Sequence, residues 1–102
     1  MQYISIFDAK ENTSRTNINR ERTEWLKKGK DKVFQQKCKS IERYEVLGSS
    51  PLKIIFVIET DEPTALNLLT GHFGDSWSSV TYPIIKREIV EALEEDHAVI
   101  GG

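Results

Sequence analysis

His72 has the side chain best suited to chemistry, in the run Thr70-Gly71-His72-Phe73-Gly74-Asp75. An imidazole titrates near neutral pH, so it can act as a general base or as an axial ligand to haem. Asp75, three residues on, is spaced to orient it. The competing reading is a histidine in the last turn of a helix, where the helix dipole favours it. His97 stands beside Asp96 and reads as solvated. Cys38, the single cysteine, lies between Lys37 and Lys39, which favours the thiolate if the thiol is exposed. No Cys–His spacing supports a nucleophilic pair. Two histidines 25 positions apart and one cysteine match no metal-ligand spacing. Glu94, Glu95 and Asp96 are adjacent, and adjacent helical residues do not share a face. There is no Gly-rich phosphate loop and no serine-centred elbow. No metal and no cofactor is implied.

These side chains belong to a chain of 102 residues, the length of one domain over 1–102. A hydrophobic fraction of 38% is enough for one core. No apolar run approaches the roughly 20 residues that span a bilayer. No basic, apolar and small-residue succession opens the chain as a secretory leader would. One cysteine excludes an internal disulfide. The expectation is a cytoplasmic protein that meets no membrane. The net charge of −2 hides an uneven distribution, because residues 15–43 hold ten basic against four acidic side chains. That stretch reads as a solvated helix face, or as a docking surface for an acidic partner such as the acidic half of a second copy.

Hydrophobic periodicity sets out the elements. Tyr3-Ile4-Ser5-Ile6-Phe7 reads as a strand. Asn12, Thr13 and Ser14 are each able to cap the helix that follows, in which Ile18, Trp25, Leu26, Val33 and Phe34 recur at helical spacing. Gly29 either divides that helix or is tolerated within it. Ile41–Leu47 and Leu52–Ile58 are strands joined through Gly48-Ser49-Ser50-Pro51, an antiparallel hairpin. Asp61 is expected to cap a second helix, with Pro63 in its first turn and Ala65, Leu66, Leu69 and Phe73 as its buried stripe. Val80–Ile85 reads as a last strand, and Pro83 favours an edge position. A closing helix over roughly 86–96 carries Ile89, Val90 and Leu93. The order is β-α-β-β-α-β with an appended C-terminal helix. This is an α+β, ferredoxin-like plan: a four-stranded antiparallel sheet with two helices on one face.

One sheet face should be covered by those helices and the other should be polar. Leu52–Ile58 breaks that rule, since Ile55 and Val57 face away from Leu52, Ile54, Phe56 and Ile58. Residues 3–7 are likewise apolar on both sides, with Ile4 and Ile6 opposite Tyr3 and Phe7. Leaving large apolar side chains wet forgoes about 1.5–3 kcal/mol each. The expected remedy is a homodimer through the open sheet face, about a two-fold axis; the alternative is that the appended helix or Trp77 covers the patch within one chain.

The segment Phe56–Leu66, the run Trp77–Ile85 and the hairpin Tyr44–Ser49 together resemble the small dimeric α+β barrel domains, many of them of unknown function. The likeness spans nearly the whole chain. Relatives on this plan include muconolactone isomerase-like enzymes and antibiotic-biosynthesis monooxygenase-like and haem-degrading monooxygenases. The resemblance implies a pocket between helices and sheet. Its candidates here are Tyr3, Trp25, Phe56, His72, Trp77 and Tyr82, large rings able to wall a pocket and orient a planar ligand.

The leading expectation is a small homodimeric module binding a small apolar or aromatic ligand. The alternative is an enzyme of the monooxygenase or isomerase type, with His72 as base or ligand and Tyr82 or Tyr3 orienting substrate. A third reading is an RNA-binding or protein-interaction module. RNA-recognition modules share the strand order but stack bases on Gly-flanked aromatics. Residues 52–58 offer only Phe56 and no glycine, and net acidity also argues against nucleic acid.

Overall fold

A computed structural model describes residues 1–100, so Gly101–Gly102 lies outside the described residues. The strands are β1 (Gln2–Ala9), β2 (Ser40–Glu45), β3 (Lys53–Glu59) and β4 (Trp77–Ile84). The helices are α1 (Arg15–Lys27), α2 (Lys30–Gln36), α3 (Leu66–Phe73, entered through a 3-10 turn at Pro63–Ala65) and α4 (Ile89–Ile100). The sheet runs β2-β3-β1-β4 with every pair antiparallel. That order is the ferredoxin-like split βαβ plan expected from the sequence.

Strand alternation sorts the side chains into two layers. Ser5, Phe7 and Ala9 of β1 and Ile54 and Ile58 of β3 are buried beneath the helices. Ile18, Phe34 and Leu69 close the core from above, and Trp77 joins it from the first position of β4. Ser5 is the polar member of this layer, and its hydroxyl is satisfied across the β1–β4 ladder by Thr81 at 2.7 Å. The opposite face carries two cross-strand rows, Tyr82–Ile4–Val57–Glu42 and Val80–Ile6–Ile55–Tyr44. Tyr82 is 55% exposed and Val80 48%, so among the described residues this apolar surface has no full cover.

Three local outcomes refine the sequence reading. Ser14 is the α1 cap, accepting from the Asn17 amide at 3.1 Å. Gly29 does divide the first helical stretch, at φ 68°, in the left-handed region that an L side chain resists. Asp61 does not cap the second helix. Thr60 makes that turn instead, its buried hydroxyl accepting from the Glu62 amide at 2.9 Å and donating to the Lys37 carbonyl at 2.7 Å. Asp61 is drawn to Lys39, 3.1 Å away.

The last strand and last helix depart from their expected bounds. β4 begins at Trp77 because it pairs with β1 as far as Ala9. Pro83 falls on it, and β4 is an edge strand bonded only to β1. α4 starts later and runs further than expected, and none of its residues is buried. The radius of gyration is 16.8 Å, against about 13 Å for a compact domain of this length.

Candidate functional site

Between α1–α2 and the sheet lies a cavity of about 650 Å³. Phe7, Ile54 and Phe56 form its floor, and Trp25, Leu26 and Phe34 its roof. Phe73 and Trp77 close one side. The rings meet edge to face or tilted: Phe7–Phe56 at 5.6 Å, Trp25–Phe34 at 6.1 Å, and Trp25–Phe73 at 5.2 Å. Such pairings are the favoured geometry for aromatic quadrupoles and hold the walls in defined rotamers. The polar lining is Arg22 on α1, Asp31 and Gln35 on α2, Ser40 and Arg43 on β2, and Cys38 and Lys39 from the link between.

The flanking lysines do not activate Cys38. Lys37 pairs with Glu62 at 3.9 Å and Lys39 with Asp61 at 3.1 Å. Burial pushes the half-buried thiol up, the Thr60 hydrogen bond opposes that only in part, and the Glu62 carboxylate adds to it. The condition under which the Lys-Cys-Lys run favours a thiolate, an exposed thiol, is not met.

His72 lies elsewhere, on a polar concavity of about 590 Å³ between α1, the β1–α1 loop and the end of α3. Both of its ring nitrogens are engaged. Lys30 Nζ, 3.0 Å from Nδ1, can only donate, so Nδ1 accepts and the proton resides on Nε2. Nε2 then donates to the Glu21 carbonyl at 2.7 Å. The ring is wedged between Trp25 and Phe73, at 5.3 and 4.7 Å. Lys30 and Glu21, not Asp75, orient it. Beside it the buried Glu21 carboxylate accepts from the Ser76 hydroxyl. That hydroxyl faces a carboxylate rather than the imidazole, so no serine–histidine relay is formed.

Of the residues singled out from the sequence, the fold brings Trp25, Phe56 and Trp77 into one cavity wall. His72 contacts that wall from behind through Trp25. Tyr3 sits on the helix-side face of β1, between Ile58 and Pro83, away from the cavity lining. Tyr82 is on the open face of the sheet. Neither tyrosine shares a site with His72.

The sequence matches no protein-family model, and no curated protein matches it. Solved structures with a similar chain course include a dimeric ferredoxin-like protein of unknown function from Thermobifida fusca. It is 10% identical, with 81% of this chain and 89% of that one covered, at a TM-score of 0.49. A hydroxynitrile lyase from Passiflora edulis is 13% identical over 85% of this chain and 95% of that one, also at 0.49. A protein from Arabidopsis thaliana is 10% identical over 86% and 98%, at 0.45.

Sequence reasoning missed the charged part of the cavity. Arg43 shares a strand face with Ile41, which the alternation of β2 already implied. Arg22 lies one helical turn before Trp25, a spacing that places them on neighbouring ground. Glu21, a buried carboxylate in a helix of mostly exposed residues, had no local signal, because its partner Ser76 lies 55 residues away.

Proposed function

We propose that this chain is a homodimeric module that binds a small apolar or aromatic molecule in the cavity beneath α1 and α2. The observation that carries the reading is the cavity itself. Its volume of about 650 Å³ suits a small-molecule ligand, and aromatic rings from α1, α2, β1 and β3 line it together. The few polar groups in the wall are enough to orient a ligand without making the interior hydrophilic. The homodimer is supported by the exposed rows on the open sheet face, where Ile4, Ile6, Ile55 and Val57 flank one another across β1 and β3.

Both tryptophans of the chain stand in the cavity wall, so their fluorescence reports on its contents. Titration of the full chain with 4-phenylbutanol should shift or quench that emission saturably. An unresponsive spectrum up to the solubility limit would overturn the ligand-binding reading. Native mass spectrometry of freshly purified protein should show two chains per particle, together with any molecule that copurifies.

A further inference from the structure

We propose that the cavity takes an amphiphilic carboxylate, its apolar body against Trp25, Phe34 and Phe56 and its anionic head received by Arg22 and Arg43. This rests on the ligand-binding reading above and adds the chemical class of the ligand.

The charges in the wall are unequal. Arg22, Lys39 and Arg43 stand against one carboxylate, Asp31. Lys39 is already held by Asp61. Neither Arg22 nor Arg43 enters an ion pair among the described residues. Nη2 of Arg22 is buried and has no hydrogen-bond partner. A guanidinium stays charged at neutral pH, so it cannot escape that deficit by losing its proton. A buried donor left unpaired carries the full cost of its lost hydration.

The surroundings sharpen the deficit. Burial disfavours the charge on Arg22 most, and the like charge of Arg43 adds to the penalty. Glu45 opposes it, but from beyond ion-pair distance. Asp31 is not among the charges that act on Arg22. The wall therefore has two cationic forks, Arg22 on α1 and the exposed Arg43 on β2, and among the described residues no carboxylate pairs with either at ion-pair distance, although Asp31, with its own Oδ1 buried and unpartnered, shares the wall. A carboxylate supplies paired acceptors that match a guanidinium fork. The rest of the wall is mostly apolar, which calls for an acid with a hydrophobic body and not for an inorganic anion.

The test compares 4-phenylbutyrate with 4-phenylbutanol, which share a body and differ in the head, using tryptophan emission of the full chain. The acid should bind at least about tenfold more tightly, a preference that added salt weakens. Arg22→Gln and Arg43→Gln should each remove most of that preference, with circular dichroism matching the native chain to show that the variant is folded. Equal affinity of the native chain for the two compounds would overturn the carboxylate inference and leave the apolar cavity reading standing. A preference that survives both substitutions would overturn the assignment to these arginines. Silence toward both compounds would remove the ligand-binding reading as well.

Discussion

Cys38 lies between two lysines and still has a thiol pushed up from its ordinary value, because burial, with the Glu62 carboxylate, outweighs the Thr60 hydrogen bond, and both lysines are paired elsewhere. Its alkylation by iodoacetamide should therefore be slow at neutral pH, with a pH–rate midpoint above the usual thiol value of about 8.5. A midpoint at or below that value would show that the lysines govern the thiol after all. The same shift has a consequence for stability. A group whose folded pKa lies above its unfolded pKa binds more protons when folded. Its contribution is complete below the unfolded value and is lost as pH rises through the folded one. Urea titrations from pH 7 to 10 should show stability falling more steeply for the native chain than for Cys38→Ala. Since Cys38 also lines the cavity, 4-phenylbutanol should protect it from alkylation under the proposed function. His72 offers a contrast at the same scale. Nothing in Thr70–Asp75 foretold that its partners would be Lys30 and Glu21, 42 and 51 residues away.

At the scale of elements, two glycines in helical surroundings separate backbone demand from space. A Cβ built on Gly29 or on Gly71 meets nothing within 4 Å. Gly29 has a positive φ and ends α1, with its amide donating to the Leu26 carbonyl at 3.1 Å. Gly71 lies inside α3 without a positive φ. Gly29→Ala should thus cost about 1 kcal/mol, from forcing an L residue into the left-handed region. Gly71→Ala should gain roughly 0.5–1 kcal/mol from helix propensity. Chemical denaturation of the two variants measures both, and equal signs would refute the argument. The elements themselves were legible because β-branched runs and helical spacing are local signals. Ile54–Ile58 declares itself by composition and Ile18–Phe34 by helical spacing, whatever surrounds them. The cavity was legible only in its aromatic half. Trp25, Phe56 and Trp77 stand out by type, whereas Arg43 becomes a wall residue only once β2 is in register with β3 and α1 lies above it. The turn at Thr60 was obscured for a related reason. Asp61 is the better cap by type, but the Thr60 hydroxyl is held by the Lys37 carbonyl from the end of α2 and accepts from the Glu62 amide, and the helix entrance has no side-chain cap.

Among the described residues two apolar surfaces are uncovered, and the charge along the chain is lopsided. The open sheet face presents Ile4, Ile6, Ile55 and Val57 at its centre with Tyr44, Val80 and Tyr82 around them. α4 leaves Ile89, Val90, Leu93, Val99 and Ile100 exposed. It is acidic along its length, at Glu91, Glu94, Glu95 and Asp96, whereas α1 and α2 belong to the basic stretch. Under the proposed homodimer a two-fold axis brings like sheet faces together, and the acidic α4 is complementary in charge to the basic stretch of a second copy. The two contributions are separable. Burial of the sheet faces is apolar and should be insensitive to salt, whereas charge pairing across the dimer should weaken as ionic strength rises. Ile55→Lys places a cation at the centre of a face that is uncovered in one chain, so each protomer should keep its fold while the association is lost. Sedimentation equilibrium at micromolar concentration should give twice the chain mass for the native protein and the chain mass for Ile55→Lys, with matching circular dichroism. A native protein sedimenting as one chain would remove the homodimer. A dimeric Ile55→Lys variant would move its interface away from the sheet and onto α4.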